Sequence, residues 1–208
     1  MGIMKKQTLF TIVTATLLAS AVQASQEQLA TSINDVRLEA GHTRDQLATT
    51  VAALTTLTKQ KKGDMRPAYE AFTAEVAKTE KAALATGTRV AWMQNDGMKY
   101  FDDWQTTISS INNESLKKKS QKRLDAVKNS YGKVIDEFKE AAEKFKPFLA
   151  DLNDIQKVLS TDLTTKGVKG LRSTVSSANS NCKSVNRKIN DALEEMKGME
   201  KELSPEAK

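Results

Sequence analysis

From Leu124 to Asp162 a bulky apolar side chain returns every seven residues, as Leu124, Tyr131, Phe138, Phe145, Leu152 and Leu159. Val127, Val134, Ala141, Phe148 and Ile155 stand three positions after each of the first five. Steps of three and four keep all of these on one stripe, because an α-helix turns once in about 3.6 residues. A stripe this long cannot be left in water, so the rest of the chain must supply the helices that cover it. Strand-like alternation is absent, and the 9 glycines and 3 prolines are too few for a turn-rich β fold. The reading is all-α: an antiparallel helical bundle with a long coiled-coil hairpin.

Four helices are predicted, over about 26–62, 65–111, 114–164 and 168–203. The first carries Ile33, Ala40, Leu47 and Leu54 at one heptad position and Leu29, Val36 and Leu57 at the other. Lys61 and Lys62 suit its C-terminus, and Gly63 can take the left-handed turn that follows. Asp64 then reads as an N-cap, with Pro67 in the first turn of the second helix, where its missing N–H does no harm. The second helix repeats Tyr69, Val76, Ala83, Val90, Gly97, Trp104 and Ile111, joined by Phe72, Met93 and Tyr100. After Ile111 the phase breaks at Asn112 and Asn113, residues that favour turns and caps, so a hairpin tip is expected rather than one continuous helix. Gly167 and Gly170 bracket a second break. The last helix repeats Val168, Val175, Cys182, Ile189, Met196 and Leu203, with Leu171, Ala178, Val185, Ala192 and Met199 between them. From these lengths the hairpin of the second and third helices is expected to project beyond the bundle.

Residues 1–24 have the form of a secretory signal: Lys5 and Lys6, an apolar run from Leu9 to Ala21, then Val22, Gln23 and Ala24 as a small-residue cleavage site. The expectation is a mature chain of one domain, 25–208, exported to the periplasm or secreted. No cysteine lies at the cut, so it is not lipid-anchored. The single cysteine, Cys182, cannot close an intramolecular disulfide, and packing must supply stability. Lysine and arginine number 32 against 26 acids, and removing Lys5 and Lys6 lowers the excess from six to four. An excess so small and so mixed along the chain gives no footprint for nucleic acid.

With the helices laid out, Gly41, His42, Arg44, Asp45 and Leu47 resemble the Gly-x-His-Lys-Arg-Asp-x-Leu signature of a bacterial family, domain of unknown function 2959. Gly63 with Tyr69, Arg89, and Phe101 with Trp104 resemble that family's second helix. Ile111, Asn112, Leu116, Ser120, Leu124 and Tyr131 resemble its tip and third helix, and Ala142, Pro147, Leu149, Leu159 and Leu163 the stretch beyond. The resemblance spans about Glu39 to Met196. It implies helical hairpins and an envelope location, and it brings no activity. Two features differ: the lipoprotein cysteine common in the family is missing, and its Lys-His-Asn-Leu-Asn segment is here Leu159 to Thr165, Leu-Ser-Thr-Asp-Leu-Thr-Thr.

Few residues offer chemistry. Glu39 and His42 have the Glu-x-x-His spacing of di-iron bundles, but a second such pair is missing and His42 is the only histidine, so no metal or other cofactor is expected. Asp102 and Asp103 are adjacent and diverge by about 100° on a helix, which rules against a shared substrate. Without a phosphate loop, nucleophile elbow or triad, no catalytic residue is assigned and no enzyme is expected. Cys182, at a seam position, reads as core.

Two surfaces remain. The basic run Lys117, Lys118, Lys119, Lys122 and Arg123 follows the tip residues Asn112 and Asn113 and, with Lys99 opposite, could meet an anionic surface. Leu84, Ala91, Trp92 and Met98 form a second stripe on the second helix. A wide apolar face is ordinary in a four-helix bundle, so the stripe is expected to be core; an exposed Trp92 would instead mark a docking surface. The expected role is a scaffold, spacer or adaptor touching another envelope protein, with anionic lipid or cell-wall polymer as the alternative target. The heptads alone also permit a homo-oligomer.

Overall fold

The computed structural model describes residues 4–203, with side chains from residue 20 onward. They form five helices: α1 (Met4–Lys59), α2 (Arg66–Ser109), α3 (Glu114–Thr161), the short α4 (Thr165–Gly170) and α5 (Arg172–Leu203). The four long helices run antiparallel in chain order and close a ring, α1 against α2, α2 against α3, α3 against α5 and α5 against α1. The closest packing is within the α1/α2 and α3/α5 pairs.

The heptad seams meet at the centre. All seven apolar seam residues expected in α1 are buried, and ten of the eleven in α3, with Phe145 half-buried beside Phe148. Cys182 is buried among the same side chains of α5. Polar side chains also lie on the α1/α2 seam. Thr50 and Thr79 touch through their hydroxyls at 2.6 Å, and Thr43 and Thr86 at 2.9 Å. A step of seven up α1 thus matches a step of seven down α2, fixing the register of the pair.

The turns follow their local chemistry. Gly63 has φ of 87°, the left-handed conformation that favours glycine, in the loop after α1. Asp64 accepts from the Arg66 N–H at 2.9 Å in front of Pro67, but Met65 and not Asp64 holds the N-cap position of α2, and α1 ends at Lys59, earlier than expected. At the tip Asn113 caps α3, its side chain accepting from the Ser115 and Leu116 N–H groups. The chain therefore reverses there, as the phase break suggested. The second break is more elaborate: α3 stops at Thr161, and α4 stands between it and α5.

Three features depart from the heptad reading. Phe101, Ile108 and Ile135 are buried though none lies on an a or d position, because α2 touches α3 along a second column. Ile111, counted on the seam, is only half-buried in the turn, and Ile108 takes its place. The tip clears α5 alone: Arg123 reaches the Glu202 carbonyl and Gln26 the Leu203 carbonyl, which marks where α5 ends. The threonine register carries α1 on beside the tip, setting Ser20 level with Ser109. Of the expected signal, residues 1–3 lie outside the described residues, and the expected cut falls inside α1, where Ser25 is buried and Val22 packs on the core. Among the described residues no helix is long and apolar enough to cross a membrane.

Candidate functional site

Seam side chains of α2 turn inward, so residues about a hundred degrees or more away round the helix face outward. Trp92 is such a residue, and it is 54% exposed. The Arg89 guanidinium lies 4.7 Å from the centre of its ring and also pairs with Asp35 of α1 at 3.2 Å. Trp92 stands one turn beyond Arg89, and Leu38, 55% exposed, one turn beyond Asp35. The cross-helix ion pair thus has a large exposed apolar residue one turn away on each helix. Met98 and Leu84 are exposed as well, at 61% and 73%. The expectation that this stripe is core is corrected: α1 and α3 cover the seam of α2, and Leu84, Trp92 and Met98 stay exposed off it.

The tip is cationic. Lys118, Lys119, Lys122 and Arg123 are exposed and Lys117 half-exposed, beside the exposed Asn112 and Asn113. Among the described residues no carboxylate comes within 4.0 Å of Lys117, Lys118, Lys119 or Lys122. Lys99, by contrast, is paired with Asp103 at 3.7 Å. Ser115, Lys118, Lys119, Gln121 and Lys122 line a shallow depression there.

The other sequence candidates do not converge. His42, Arg44 and Asp45 are exposed on α1, with Arg44 reaching Asn190 of α5 at 3.5 Å, and a Cβ at Gly41 would meet nothing within 4 Å. Among the described residues no group of three or more histidine, cysteine, aspartate or glutamate side chains is arranged to hold a metal ion. Trp104 is part of the architecture: its indole N–H donates to Ser120 at 3.2 Å, joining α2 to α3 below the tip. Burial pushes the Cys182 thiol up, away from reactivity.

Sequence reasoning missed an apolar groove of about 530 Å³ at mid-bundle, between α2 and α3. Ala83, Gly87 and Val90 form one wall, Phe138, Ala142 and Phe145 the other. It exists because small residues occupy the column that Phe101 and Ile135 fill nearer the tip. The small residues were visible in the sequence, but the contact column they belong to was not.

The class of protein is thus an antiparallel four-helix bundle with a cationic tip and an uncovered apolar edge. The family model for "Protein of unknown function (DUF2959)" matches residues 19–203, and the chain belongs to that family. A comparison with curated proteins finds no match.

Proposed function

We propose that this protein is a non-enzymatic component of the cell envelope, a spacer or adaptor that works by docking another protein on the edge formed by Trp92 and Leu38. The signal-like N-terminus supports the location. The carrying observation is Trp92, a large aromatic half in water with the Arg89 guanidinium over its ring. Tryptophan and arginine are the residue types that most often anchor protein interfaces. In-cell photo-cross-linking from a probe replacing Trp92, with a second at Asn113, tests this. A discrete protein adduct at position 92 supports docking; no adduct there removes it.

The unpaired lysines at the tip favour a second reading, attachment to anionic lipid or cell-wall polymer. Each cation near such a surface contributes about 1 kcal/mol, less as salt rises. Salt-sensitive binding to anionic vesicles that vanishes when Lys117, Lys118 and Lys119 are changed to glutamine is the expected result. Binding that survives those changes sinks this reading.

A further inference from the structure

The end of the bundle opposite the tip carries a second cationic feature. A cleft of about 750 Å³ opens where the end of α1 faces α4 and the start of α5. Lys59 and Lys61 line it from one side, Lys169 and Arg172 from the other, with Thr165 between and Val168 buried below. Over a hundred residues separate the two pairs in sequence, and the fold alone brings them together. Among the described residues, none of the four cations has a carboxylate within 4.0 Å.

The arrangement is held in place. The Thr164 side chain accepts from the Gly167 N–H at 3.1 Å, which caps α4, and donates to Asp162 at 2.7 Å. A Cβ at Gly167 would collide with the Asp162 carbonyl, so this tight approach requires glycine. α4 is thereby fixed, and it carries Lys169 toward the end of α1. The exposed carbonyls ending α1 amount to about half a negative charge, far less than the four positive charges around them. Like charges gathered without counter-charges repel, and an anion seated among them would relieve that repulsion.

We propose that this cleft binds a small, multiply charged oxyanion, one bearing several phosphate or carboxylate groups. Its volume lies within the roughly 300–1,000 Å³ of small-ligand pockets. Arg172 supplies the forked donor that matches such groups, and the lysines supply charge. The site is independent of the Trp92 edge and lies at the far end from the tip lysines.

Isothermal titration of the full chain with sodium tripolyphosphate, and separately with citrate, tests the proposal. One-site binding is expected, weakened at least about tenfold in the Lys59→Gln/Arg172→Gln variant and weakened also by added salt. The Lys117→Gln/Lys118→Gln/Lys119→Gln variant should bind as the unaltered protein does. Both variants change exposed or half-exposed side chains, none of them buried, and unchanged helix content and Tm will show that they are folded. Tripolyphosphate binding without citrate binding assigns a phosphate ligand, and the reverse a carboxylate one. Failure of both anions to bind, or equal loss in the tip variant, overturns the proposal.

Discussion

The ring of Tyr131 lies against Gly97: a Cβ at position 97 would stand 2.6 Å from both its Cζ and its hydroxyl oxygen. The hydroxyl donates to the Met93 carbonyl at 2.8 Å, and the ring meets Phe101 edge-on at 5.2 Å. Glycine on the α2 seam is therefore a seat for a side chain of α3, and Tyr69 makes a matching bond to the Gln156 carbonyl nearer the base.

Two glycines of α2 should consequently respond in opposite directions. Gly97→Ala should destabilise by about 1–3 kcal/mol, because the overpacked ring must leave its place. Gly87 faces open space, and Gly87→Ala should stabilise by about 0.5–1 kcal/mol through helix propensity. Urea unfolding of the two variants checks both signs; stabilisation by Gly97→Ala would refute the seat.

The buried Thr50–Thr79 contact predicts non-additivity. Thr50→Val alone strips Thr79 of its hydroxyl partner and should cost about 1–2 kcal/mol. Thr50→Val/Thr79→Val also removes the stranded Thr79 hydroxyl and should return that part of the loss, while the Thr50 contacts to Gln46 and the Glu75 carbonyl stay lost. A double-mutant cycle measures the coupling, and simple additivity would show the hydroxyls to be independent.

Stability should fall on the alkaline side. Burial, reinforced by the charge of Asp96, pushes the Tyr131 phenol well above its ordinary range, and hydrogen bonds from Lys188 to Glu140 and Glu137 raise that lysine. Raised folded-state values mean stabilisation that is complete below the unfolded values, about 10 for both groups, and lost as pH climbs through the folded ones. Urea midpoints between pH 8 and 11.5 should decline from about pH 10, and the decline should be shallower in Tyr131→Phe. An equal slope in that variant would assign the alkaline loss elsewhere.

Cys182 is buried and its thiol is pushed up by that burial, so a thiol reagent should label it only as fast as the bundle opens. Labelling should accelerate in urea in step with unfolding. Labelling of the native protein as fast as of the unfolded protein would place the sulfur at the surface.

The α3 seam was legible from Leu124 to Leu159 because periodicity is local: a helix must bury a stripe that repeats every seven residues, whatever covers it. Asn113 could be read in the same way, since a cap answers to N–H groups two and three residues on. Phe101, Ile108 and Ile135 were not legible as core, because their burial depends on how far apart α2 and α3 stand. The same dependence hid the exposure of Trp92, which sits on an apolar stripe that a differently closed bundle would have covered.

The sequence by itself determined that this chain is helical, where most helices begin and end, and which faces turn inward, since these follow from spacing and capping within a few residues. Only the tertiary structure decided that Arg89, stacked on Trp92, pairs with Asp35 of α1, that threonines meet across α1 and α2, and that Lys59 and Lys61 gather with Lys169 and Arg172. Those relationships are set by the chain reversals at Gly63, at Asn113 and through α4 between α3 and α5, and by the register between helices. They join residues whose separation along the chain carries no sign of their meeting.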